Sequence, residues 1–67
     1  MTFVSKTELA QRYFPNVADR SALNKLMSLI TSDTPLLHSL IELGYRKEQR
    51  YFSPAQLSLI FQRFGEP

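Results

Sequence analysis

The chain has no cysteine and no tryptophan, only two glycines, and a net charge of just +2. Each shortage excludes something. Without cysteine there is no disulfide and no thiolate metal site to supplement a small core. A reducing cytoplasm is the expected setting. No apolar run approaches the roughly 18 residues that span a bilayer, so no membrane role is expected. The opening stretch MTFVSKTE lacks a charged n-region and an apolar h-region, and does not read as a signal peptide. Charge of one sign is scarce too, with eight Lys and Arg against six Asp and Glu. Phosphate contact dominates nucleic-acid affinity, so a balance this close to neutral matters only through where the cations sit.

What is present is globular in character: 43% apolar and 12% aromatic. Residues 1–67 are expected to form one small domain. A chain of this length buries only about 60% of the surface its unfolded form exposes, leaving roughly 3–5 kcal/mol from a single core. So small a domain is also expected to lack a concave pocket of several hundred Å³.

The apolar pattern predicts a mainly α fold, about four short helices with a small β-hairpin. Phe3-Val4 is an extended lead-in. Ser5 reads as an N-cap, with Glu8 closing a capping box and Val4 against Leu9 as a hydrophobic staple. Helix 1 is expected from Lys6 to Phe14, ended by Pro15. Asp19 or Ser21 should cap the second helix, which runs to Ser32. Its two faces separate cleanly at helical spacing. Ala22, Leu23, Leu26, Met27, Leu29 and Ile30 form the apolar side. Ser21, Asn24, Lys25, Ser28, Thr31 and Ser32 form the polar one. Thr34-Pro35 reads as a cap followed by proline at the first helical position. Leu36, Leu37, Leu40 and Ile41 form the stripe of that third helix, and Gly44 its αL stop. Tyr45 to Phe52 has strand character and reads as a hairpin turning through Lys47-Glu48-Gln49. Ser53-Pro54-Ala55-Gln56 is a second capping box, opening a helix to Phe64 that Gly65 ends. Leu57, Ile60, Phe61 and Phe64 face inward on it.

The segments KTELAQRYFP, SALNKLMSLI, LIELGYRK and YFSPAQLSLIFQRFGEP resemble a family of short Bacteroidales proteins, domain of unknown function 4248. That resemblance covers nearly the whole chain and implies a small, mostly helical bacterial protein without implying an activity. A looser similarity is to MerR-type and excisionase-type winged helix-turn-helix domains. There TELA opens the first helix, the second helix enters the major groove, and a wing touches the backbone. The chain departs from that layout by an extra helix between the second helix and the supposed wing. Its second helix also carries one base, Lys25, with Arg20 just before it.

Two function classes follow. In the first, double-stranded DNA is the partner. Arg20, Ser21, Asn24, Lys25 and Ser28 lie along the second helix, where Asn reads adenine and hydroxyls meet bases or phosphate. Arg46, Lys47 and Arg50 grip phosphates from the hairpin. About four neutralised phosphates would give a log–log salt slope near −3.6. The competing reading is a solvated helix face and an ordinary basic turn guarding a sheet edge. In the second class the chain is an interaction module for a protein partner or a second copy. Leu59, outside the main stripe of the last helix, is its contact. Tyr13, Tyr45, Tyr51 and the phenylalanines read as core rather than stacking platforms. His38 stands alone, without a second histidine or a cysteine, so neither metal nor general base is expected of it. No cofactor, catalytic group or small-molecule substrate is evident, and Ser5, Thr34 and Ser53 are accounted for as caps. An enzyme is not expected.

Overall fold

The computed structural model describes residues 3–67, so Met1 and Thr2 of the opening stretch lie outside it. Strand β1 (Val4–Ser5) leads into helices α1 (Lys6–Tyr13), α2 (Asp19–Ser32) and α3 (Thr34–Glu42); strand β2 (Tyr51–Phe52) then leads into helix α4 (Pro54–Phe64). The mainly α class with four helices is as expected.

The sheet differs from the expected hairpin. β1 and β2 pair with each other, antiparallel, Val4 opposite Phe52 and Ser5 opposite Tyr51. The Lys6 amide donates to the Arg50 carbonyl at 2.9 Å and extends the ladder by one rung. Residues 45–50 are therefore a connecting loop rather than one arm of a hairpin. The stretch has no Asn-Gly or Asp-Gly to set a two-residue turn, and β2 takes its partner from the far end of the chain.

Local signals decide most helix ends. Ser5 accepts from the Glu8 amide. Glu8 does not return the bond; its carboxylate faces Arg12 at 3.7 Å. Phe14 is the C-cap of α1 rather than its last residue. Ala18, not Asp19 or Ser21, is the N-cap of α2, and it has no side-chain bond to offer. Gln11 donates to the Val17 carbonyl and steadies the connection between α1 and α2. α4 has the full reciprocal box, Ser53 with Gln56, and Pro54 at its start.

α3 is capped by Asp33 instead of Thr34: its Oδ1 accepts from the Leu36 amide. The other carboxylate oxygen accepts from Arg63 of α4, tying the two helices together. α3 ends in a Schellman motif one residue before Leu43. The Tyr45 amide reaches the Leu40 carbonyl and the Gly44 amide the Ile41 carbonyl. Gly44 sits at φ +86°, where a Cβ is disfavoured.

The core joins Leu9 and Ala10 of α1, Ala22, Leu26 and Ile30 of α2, and Leu36 and Leu40 of α3 to Tyr45, Phe52, Leu57 and Ile60. Four residues expected inside are outside: Leu29 and Ile41 on their helices, and Tyr51 and Phe3 among the aromatics, are all exposed. Helical spacing marks which side of a helix is apolar, but the neighbours cover a narrower arc than those stripes. Tyr13, half-buried, donates its hydroxyl to the Gly65 carbonyl and holds the end of α4 against α1. Burial and then the Glu66 carboxylate push that phenol above its ordinary value.

The Arg63 hydrogen bond, the largest influence, holds the Asp33 carboxyl below its ordinary 3.8. A carboxylate with a lowered folded pKa stabilises above its unfolded pKa and loses that effect as pH falls through the folded one. Asp33→Asn keeps a capping oxygen but removes the charge. It should lower the melting temperature slightly at neutral pH, with the gap to wild type closing below about pH 3.8. Thermal melts across pH 2–7 would check this.

Candidate nucleic-acid interface

α2 presents its polar side to solvent because its apolar side is taken. Ala22, Leu26 and Ile30 are buried, while Arg20, Ser21, Asn24, Lys25 and Ser28 are all exposed. Lys25 is partly fixed: its ammonium lies 5.8 Å from the Phe14 ring centroid, at the end of α1.

The loop of residues 45–50 is held from three directions. The Schellman motif fixes its start. Gln49 closes it on itself, accepting from the Arg46 amide and donating to the Tyr51 carbonyl. Gln49 also donates to Gln56 Oε1 at 2.8 Å. Gln56 is buried, and besides its box it donates to the Leu43 carbonyl. From beneath, the ammonium of Lys6 donates to the Lys47 carbonyl at 3.0 Å. Arg46, Lys47 and Arg50 stay exposed on this braced loop. Glu48, between them, is exposed as well.

Not all the expected residues converge. Asn24, Ser28 and Lys47 line one groove, together with Leu23, Met27, Leu37, Ile41 and Tyr45. Lys47 and Arg50 line an adjoining groove with Leu23, Gln49 and Tyr51. Asn24 and Ser28 also line a third, with Lys25 and Phe14. They thus form a ridge flanked by Lys25 on one side and Lys47 on the other. Arg20, Ser21 and Arg46 are exposed outside these grooves.

Further findings bear on function. The groove between α2, α3 and Lys47 measures about 850 Å³, which corrects the expectation that the domain has no concave feature of that size. Leu59 is half-buried against the core and lines a smaller cleft with Pro35, Leu36 and Arg63. The exposed large apolar side chains lie elsewhere, at Phe3, Leu29, Ile41, Leu43 and Tyr51. His38 is exposed, and the described residues contain no cluster of three or more metal-ligating side chains. Among them, no helix is long and apolar enough to cross a membrane.

Sequence reasoning missed Lys6, which is only 9% exposed. The signal was there, because Lys6, Leu9, Ala10 and Tyr13 share one helical stripe at i, i+3, i+4, i+7. It also missed the Gln49–Gln56 pair, since nothing local announces a side-chain bond between two glutamines.

The chain belongs to the family described as Domain of unknown function (DUF4248), whose model matches residues 1–67. No curated protein and no solved structure matches it.

Proposed function

From membership of a family that supplies no activity to carry over, we propose that the chain is a small accessory or regulatory protein that binds duplex DNA weakly. Asn24 and Ser28 of α2 approach base edges, and Lys25, Lys47 and Arg50 hold the phosphates on either side, with Arg20 and Arg46 adding to the field. One observation supports this above others: Asn24, Ser28 and Lys47 line the same groove, so the polar ridge and the basic loop share a surface. The wing of the winged-helix resemblance is absent as a hairpin. A loop braced by Gln49, Gln56 and Lys6 takes its place as the backbone-contacting element. Phosphate contacts of this sort set register and affinity, while base edges carry the sequence.

The test is fluorescence anisotropy with labelled duplex DNA. Binding should weaken with salt on a log–log slope near −3.6, the value for about four phosphates. Replacing Lys25, Arg46, Lys47 and Arg50 together with alanine should abolish binding and leave the fold intact. Exposed substitutions usually cost within about 0.5 kcal/mol each, and the bond from Lys6 to residue 47 is to the backbone. A quadruple variant that binds as tightly as wild type contradicts the proposal.

A further inference from the structure

Among the described residues, Lys6 is a buried cation without a counter-ion. Its ammonium donates to Tyr45 Oη at 3.1 Å and to the Lys47 carbonyl at 3.0 Å. It also lies 4.8 Å from the Tyr45 ring centroid. An ammonium has three donors, and the third has no protein partner among the described residues. The ion pairs there are Glu8 with Arg12 and Asp33 with Arg63; Lys6 has none. Its place makes this more costly. It is the first residue of α1, where the helix dipole disfavours a positive charge. Desolvating an ammonium against neutral acceptors alone is unfavourable, and an incoming anion would relieve it.

The same lysine lines the groove of about 850 Å³ between α2 and α3. Leu23, Met27, Leu37 and Ile41, the last 54% exposed, make the apolar part of its lining, with Asn24, Ser28 and Thr31 as the polar part on α2. Lys47 stands beside Lys6 at that wall, since both also line the adjoining groove. The volume falls in the range of small-ligand sites, roughly 300–1,000 Å³. A cationic end and four apolar side chains along the groove complement a ligand with one anionic head and one aliphatic tail.

We propose that this groove binds an amphiphilic monocarboxylate, its head on the Lys6 ammonium beside Lys47 and its alkyl chain along Leu23, Met27, Leu37 and Ile41. A charge-assisted bond explains the head, and burial of exposed apolar surface the tail. This holds independently of DNA binding, though Asn24, Ser28 and Lys47 border both sites.

The probes are decanoate and decanol, each titrated below its aggregation concentration into isotope-labelled protein without DNA, reading amide shifts. Decanoate should shift residues 23, 27, 37, 41 and 45 with an affinity at least about tenfold above that of decanol, the worth of one charge-assisted bond. In Lys6→Met, which keeps the apolar stem, that preference should vanish. Ile41→Asp is exposed and so safe for folding. It sets a carboxylate on the groove wall and should weaken decanoate more than decanol. Equal affinity for the two probes in wild type overturns the proposal even if Lys6→Met fails to fold. So does shift at some other surface, or no binding by either probe.

Discussion

Phe52→Ala should leave the domain largely unfolded at 25 °C. The ring is fully buried, at 0% exposure. It lies opposite Val4 in the sheet and stacks on Tyr45 at 6.0 Å between centroids. A buried Phe→Ala change typically costs about 3–5 kcal/mol, from lost transfer energy and the cavity left behind. A single core of this size supplies roughly the same amount. With no cysteine in the chain there is no disulfide to offset the loss. Urea unfolding followed by circular dichroism would show the midpoint moving to or below zero denaturant. Tyr51→Ala, one residue away on the exposed face at 56%, should stay within about 0.5 kcal/mol of wild type. Comparable destabilisation by the two would mean that the strand does not alternate as described.

The second large effect is expected at Gln56. Its side chain is 3% exposed and uses both ends. Oε1 accepts from the Ser53 amide and from Gln49, and Nε2 donates to the Leu43 carbonyl. Gln56→Ala strands these part-buried partners. An unsatisfied buried polar group costs about 1–3 kcal/mol, so a total of about 2–3 kcal/mol is expected. The effect should also be local. Gln49 loses its anchor, and the loop carrying Arg46, Lys47 and Arg50 loosens while α1 and α2 remain. Native-state hydrogen exchange would then show the Arg46 amide, which donates to Gln49, losing protection before the α2 amides do. Uniform loss across the chain would mean that Gln56 supports the fold globally rather than the loop.

Some features that depend on neighbours in sequence were legible, although the caps of α2 and α3 lie earlier than expected, at Ala18 and Asp33. Ser53, Pro54 and Gln56 announce the start of α4 within four positions. Gly44 announces the end of α3, and Ala22, Leu26 and Ile30 announce the buried side of α2. The sheet was not legible, because Val4 and Phe52 meet across almost the whole chain and each strand has only two residues. A stretch so short carries no period of its own, and Tyr45 to Phe52 read as self-contained for want of any visible partner. Leu29 and Ile41 show a related limit: apolar spacing defines a side of a helix, but only packing defines how much of it is covered. Lys6 shows the opposite one. A lysine at a helix start reads as solvated, although its spacing to Leu9 and Ala10 put it on the inner stripe. For the interface, the residues of α2 were readable from its polar side. That Lys47 would lie across a groove from Asn24 and Ser28 follows from how residues 45–50 are braced, which no local pattern encodes.

The most direct test of the DNA-binding surface is an amide-shift map of the wild-type protein with duplex DNA at low salt. Shifts should gather on residues 20–28 and 46–50 together and fade as salt is added. An unperturbed spectrum, or shifts confined to α4 and the outer side of α3, would contradict the account.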